Sequence, residues 1–145
     1  MLKRILKAFS LTVMLLFAGH LAAAAPANQA QRSAANPLIT EMTMVETAVR
    51  DTVSAIAQGD TGRVAKSIES LREPMQKAQQ ALQAGAVSLP KNGDRLDEFQ
   101  RSYDSFHAQV EALGRAGNRN NIEAVLMITK QLLETCVTCH RTFRK

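Results

Sequence analysis

The chain has no tryptophan, one tyrosine, five phenylalanines and only two cysteines in 145 residues. Two cysteines cannot build a disulfide-dense mini-scaffold, nor a four-cysteine zinc or iron–sulfur site. Seven glycines and four prolines are too few for a meander of short strands punctuated by frequent turns. With 46% apolar and 21% charged residues, the sequence is neither a disordered tail nor collagen-like nor membrane-filling. The length allows one domain and would cramp two. These absences leave one helical domain.

The first 25 residues carry a transport signal. Lys3, Arg4 and Lys7 form a positive start, Leu11 to Phe17 is almost wholly apolar, and Ala22 to Ala25 offer a small-residue cleavage site. A membrane anchor needs about 20 apolar residues; this run is shorter and is followed by the polar stretch Asn28 to Asn36. Residues 1–24 therefore read as a cleaved secretory signal, 25–35 as a flexible lead-in and 36–145 as the folded domain. Cleavage near Ala24 lowers the formal net charge from +5 to +2. No basic stripe with interleaved aromatics remains, so nucleic acid is not an expected partner. Nor is the cleaved chain expected to be an integral membrane protein. Export places the thiols in an oxidising, periplasmic compartment, where free cysteines rarely persist unless bonded.

Four amphipathic stripes follow. Asn36-Pro37 gives an N-cap and a proline at the first helical position. The first stripe is Leu38, Met42, Val45, Val49, Val53 and Ile56, ended by Gly59-Asp60. The second is Val64, Ile68, Leu71, Met75, Ala78 and Leu82, with Pro74 set to kink or split it. The longest connection, Gly85 to Gly93, precedes a cap at Asp94 and a third stripe of Leu96, Phe99, Tyr103, Phe106, Val110 and Leu113. Gly114 and Gly117 are expected to stop that helix. Asn120 and Glu123 resemble a capping box for the fourth stripe, Ile122, Val125, Leu126, Thr129, Leu132, Leu133, Cys136, His140 and Phe143. No strand alternation competes. The predicted fold is all-α, an antiparallel up-down-up-down four-helix bundle.

Both cysteines fall in Cys136-Val-Thr-Cys139-His140, five residues from the C-terminus. CxxCH is the attachment sequence of c-type haem. Thiols three apart share a helix face, where each can form a thioether to one haem vinyl group, and His140 is then placed beneath the ring to bind iron. Two other chemistries use these residue types. A CxxC redox disulfide usually opens a helix in a βαβ context, whereas this pair lies near the end of the last helix of an all-helical chain. Zinc would need further ligands, and only His107 remains elsewhere after the signal.

A signal peptide, four amphipathic helices and the tail CVTCHRTFRK together resemble the cytochrome c-prime family, including its low-spin, Met-ligated members. The segment Ala55-Ile-Ala-Gln-Gly59-Asp60 is similar to that family's first interhelical turn. The likeness spans the whole processed chain in architecture and is specific in sequence over about the last ten residues; the second helix and second loop do not match recognisably. It implies one covalent haem c on Cys136 and Cys139, His140 as proximal iron ligand, and Arg144 as the basic residue packed near it. It also implies either of two functions. Some members leave the sixth iron position vacant and bind nitric oxide or carbon monoxide; others place a first-helix Met on the iron and carry single electrons. Met42 lies within the first stripe and Met44 about 200° from it, so Met42 is the expected distal ligand and Met44 the fallback. His107 reads as a partly exposed, solvated histidine, and Met75 and Met127 as packing residues.

The expected function is that of a periplasmic electron carrier with His/Met-ligated haem rather than an enzyme, since no nucleophile–base–acid constellation accompanies the motif. The alternatives are a five-coordinate gas binder and a non-haem helical protein with a redox CxxC. Lys130, Arg141, Arg144 and Lys145 could form a basic rim that steers an acidic redox partner protein. Relatives often dimerise through the first two helices. Phe99, Tyr103, Phe106 and Phe143 are the candidate walls of a porphyrin pocket.

Overall fold

The computed structural model describes residues 36–144; the expected signal, its lead-in and Lys145 lie outside them. The described residues form helices α1 (Pro37–Ala57), α2 (Thr61–Glu69), α3 (Arg72–Gln83), α4 (Leu96–Asn118) and α5 (Ile122–Phe143), with a 3₁₀ turn at Gly93–Arg95 and no strand. Helices α2 and α3 are one bundle member in two pieces. Pro74 has no N–H to return to the Ser70 carbonyl, and the break falls at Ser70-Leu71. The expected four-membered helical bundle is thus observed.

Helix α1 packs on α2 and α3, α2 on α4, and α4 on α5, while α1 and α5 touch far less than those pairs. One core cluster gathers Leu38 from the start of α1, Leu82 from the end of α3, Phe99 from the start of α4 and Phe143 from the end of α5. That grouping of starts with ends makes neighbouring members antiparallel.

The helix ends show how local sequence sets the turns. Asn36 caps α1, its side chain accepting from the Leu38 N–H at 3.0 Å. Helix α1 closes with a Schellman pair, Asp60 N–H to Ala55 O at 2.9 Å and Gly59 N–H to Ile56 O at 3.0 Å, with Gly59 at φ +68. Asp60 then caps α2 through the Arg63 N–H at 2.9 Å.

Helix α4 does not stop at Gly114 or Gly117. It runs to Asn118, and Asn120 at φ 53 is its left-handed terminator. The two glycines serve packing instead: a Cβ on Gly117 would lie 2.8 Å from the Thr61 carbonyl and 2.9 Å from the Ala65 amide, and one on Gly114 would lie 3.0 Å from Ile68 Cγ2. The bareness of Gly117 lets α4 approach the backbone of α2, and that of Gly114 makes room for the Ile68 side chain. The cap of α5 is Asn121, accepting from Ala124 N–H at 2.9 Å, and not Asn120, whose side chain accepts from the Thr61 hydroxyl at 2.9 Å. Asp94 lies in the 3₁₀ turn, and α4 begins without a side-chain cap.

The loop after α3 folds back on the end of α5. Lys91 donates to the Arg141 carbonyl at 3.2 Å and Asn92 to the Thr142 carbonyl at 2.7 Å, which occupies acceptors that a helix C-terminus leaves open. Val87 and Leu89 pack on the adjoining core. The loop thereby anchors the turn that carries His140.

Candidate functional site

Helix α5 presents the CxxCH motif within its last two turns. Cys136 and Cys139 are half-buried and unbonded to each other. Cys136 packs against the main core cluster of Val45, Leu132 and Phe106, and Cys139 against the cluster of Phe99, Tyr103 and Phe143. Burial pushes both thiols above the ordinary thiol range, so both carry their protons near neutrality. His140 is exposed. Its partial desolvation, then the nearby Arg144 charge, moves its imidazole downward. The ring is therefore neutral at pH 7, with a nitrogen lone pair available.

Opposite stands α1, turned from the expected bearing. Its buried residues are Glu41, Val45, Ala48, Thr52 and Ala55. The apolar stripe read from the sequence is centred roughly 80° around the helix from that face. Met42 and Val49 are half-buried and Val53 is 51% exposed. That flank faces α5. Val53 and Ile56 from α1 meet Leu126, Thr129 and Leu133 from α5 across an apolar groove of about 390 Å³.

Neither Met42 nor the CxxCH motif lines that groove, but the bearings of the ligand candidates put them on the same side of the bundle. Met42, eleven residues before Val53, falls within about 20° of its bearing, and His140, seven after Leu133, within about 20° of that one. Met42 packs against both core clusters, each of which also carries one of the two cysteines. Met44 lies on another flank and is 36% exposed.

The remaining expectations fare variously. Phe99, Tyr103, Phe106 and Phe143 are all buried, but they pack on one another, with Phe99–Phe143 centroids 5.4 Å apart and Tyr103–Phe106 6.5 Å. The four rings therefore pack as part of the core rather than lining an open pocket. A larger cleft of about 660 Å³ between α4 and α5 reaches Cys139, but its other walls are polar, among them Arg101, Ser102, Gln109 and Thr135. Arg144 is exposed at the end of α5, its N–H on the His140 carbonyl at 3.0 Å. Met75 is buried as expected. Met127 is not a packing residue, being 57% exposed on the outer side of α5. Lys130 stands eleven residues, about 16 Å, from Arg141 and near Glu134 at 3.8 Å. Lys91 instead joins Arg141 and Arg144 at the motif end.

One feature escaped the sequence reading. Glu41 is fully buried, and both its oxygens are engaged: Tyr103 Oη donates to Oε2 at 2.5 Å and His107 Nε2 lies 2.8 Å from Oε1. His107, with its side chain only 13% exposed, is not the solvated residue expected. The available signal was a carboxylate among Leu38, Met42, Val45 and Ala48.

The donor set fits a covalently held haem: two same-face thiols and an imidazole at the next residue, with an apolar groove, flanked by Lys130 and Glu134, further along the same pair of helices. No family model, no curated protein and no solved structure matches the chain. Among the described residues no helix is long and apolar enough to cross a membrane.

Proposed function

We propose that this protein is an exported, periplasmic c-type cytochrome that carries single electrons. Cys136 and Cys139 would hold the haem through thioethers, with His140 and Met42 as iron ligands. The observation that carries this reading is the seam. The CxxCH motif lies on α5, which meets α1 far less than the other neighbouring members meet one another, and α1 carries Met42 on an apolar flank that the protein leaves half-uncovered. Apolar side chains at such a seam cost free energy in water, and a flat apolar group lodged there removes that cost.

Haem would supply an Fe(III)/Fe(II) couple, and Met ligation raises its potential relative to a site without it. The chain's own residues do the rest. Desolvation and then the Arg144 charge shift His140 toward its neutral form, the form that binds metal. The loop contacts from Lys91 and Asn92 hold the last turn of α5, and the bundle keeps α1 and α5 in fixed relation. Lys91, Arg141 and Arg144 give the motif end a positive rim, suited to an acidic redox partner.

The redox-disulfide reading is weaker on physical grounds. Reactive CxxC thiols sit at helix N-termini with lowered pKa values, whereas these lie near a helix C-terminus with raised ones. A vacant sixth position would make the protein a binder of small gases. The half-buried Met42 thioether on the seam favours ligation instead.

The test is the visible spectrum of protein matured with haem-attachment machinery. A covalent haem in the denatured chain, lost in Cys136→Ala/Cys139→Ala, is expected. So is a low-spin oxidised spectrum that turns high-spin in Met42→Ala. Colourless protein would sink the haem reading. High-spin bands with rapid carbon monoxide binding in the unaltered protein would replace the carrier by the gas binder.

A further inference from the structure

A fully buried carboxylate in a small helical bundle is expensive unless each of its oxygens finds a hydrogen-bond partner. Glu41 meets that condition with two donors from one helix. Tyr103 and His107 lie one turn apart on α4, their rings 4.1 Å between centroids, and they grip the two carboxylate oxygens separately. Helices α1 and α4 are diagonal partners, not neighbours. The contact therefore runs through the interior and ties together two members that otherwise meet little.

Its position along α1 matters. Glu41 precedes Met42, and successive residues differ by about 100° around a helix. Fixing Glu41 toward α4 fixes Met42 toward the α5 seam. Apolar packing alone would not choose that rotation. The more hydrophobic flank of α1 is the one with Met42, Val49 and Val53, and burying it in the core would carry Met42 away from the seam. A single buried polar group that specifies register is the best-attested use of such groups.

We propose that the Glu41–Tyr103–His107 cluster is a positioning device that sets the rotation of α1 and so presents the Met42 sulfur to the site of His140. The proposal rests on the reading of Met42 as iron ligand. Tyr103 and His107 act through Glu41, and none of the three is a ligand itself.

The experiment uses haem-loaded protein and three variants: Tyr103→Phe, Glu41→Leu and Val64→Ala. The last is a core truncation on α2, remote from the motif, that lowers stability without touching the cluster. In Tyr103→Phe and Glu41→Leu the Met–iron charge-transfer band of the oxidised protein should fall, and the carbon monoxide-reactive fraction should rise about tenfold or more, as expected from loss of one buried hydrogen bond. The covalent haem content should stay unchanged. Val64→Ala should melt earlier with its spectrum intact. Glu41→Gln, which keeps the shape and an acceptor for Tyr103, should recover part of the band, and it serves where Glu41→Leu does not fold. Retention of the full band in Tyr103→Phe and in the Glu41 variant that folds would overturn the proposal. Equal loss of the band in Val64→Ala would do the same. A missing Met band in the unaltered protein would instead remove the reading of Met42 on which the device depends.

Discussion

Two seams of this bundle are built in opposite ways. Between α2 and α4 the helices approach until glycine is the only residue that fits: a Cβ on Gly117 would sit 2.8 Å from a backbone oxygen. Between α1 and α5 large apolar side chains are plentiful yet unfinished, with Val53, Leu126 and Leu133 all more than 40% exposed. The first seam is complete in the polypeptide alone. The second has the chemistry of a core and the packing of a surface. The contrast also explains how α1 can be secured without much help from α5: it is held by α2, by α3 and, through Glu41, by α4.

The sharpest way to break the comparison is to fill the tight seam. Gly117→Ala should destabilise the protein by a net amount of about 2 kcal/mol, because overpacking against backbone, about 3 kcal/mol, exceeds the roughly 1 kcal/mol that alanine gains in helix propensity. Thermal or urea unfolding of the two proteins measures it. Gly114→Ala is the internal control. There the new methyl meets only the Ile68 side chain at 3.0 Å, which need give by only a few tenths of an ångström, so the propensity gain should offset the crowding to within about 1 kcal/mol. Equal losses at the two positions would mean that the seam is closed by side chains rather than by backbone.

Next in size is the tie across the diagonal. Tyr103→Phe removes a donor and leaves a buried carboxylate oxygen without it, a loss of about 1–2 kcal/mol. The same group makes stability depend on alkaline pH. Burial, then the Glu41 hydrogen bond, raises the Tyr103 phenol far above its ordinary value of 10.0. The folded chain keeps a proton that the unfolded chain releases. Stability from this group is thus fully present below pH 10 and falls as pH climbs past it. Denaturant titrations at neutral pH and above pH 10 should show that fall in the unaltered protein and less of it in Tyr103→Phe. An identical alkaline loss in both would sink the assignment.

These two features also mark what could and could not be read from the chain. The helix count, the Asn36-Pro37 start, the Gly59-Asp60 end and the break near Pro74 were legible, because each rests on a local backbone rule. The α4 stripe from Phe99 to Leu113 was legible too, since large apolar residues and the buried face coincide there. On α1 they do not coincide. Glu41, Ala48 and Thr52 face the interior because α4 supplies the partners for Glu41, and because small residues suit close packing against α2 and α3. Hydropathy alone pointed at the seam instead. The glycines of α4 continue the helix rather than stop it for a similar reason: whether a glycine ends a helix or admits a neighbour depends on what lies across from it. The CxxCH motif needed no fold to be seen. The α1–α5 groove, and the two residues that grip Glu41, exist only once helices distant in sequence are assembled.

The smallest expected effect is also the one that distinguishes the seams most directly. Leu133→Gln replaces a side chain that is 42% exposed and lines the α1–α5 groove. In haem-free protein the change should shift stability by no more than about 0.5 kcal/mol, as for an ordinary surface position. If haem completes the seam, the same substitution in loaded protein puts an amide where an apolar contact is buried, and the cost should rise to about 1–2 kcal/mol. Paired unfolding curves of loaded and unloaded protein, each with Leu or Gln at position 133, isolate that difference, because every contribution shared by the two states cancels. A difference near zero would mean that the group, if bound, lies elsewhere, with the polar cleft beside Cys139 next in line. A difference confined to the loaded protein would show the open seam to be half of an interior whose other half is not polypeptide.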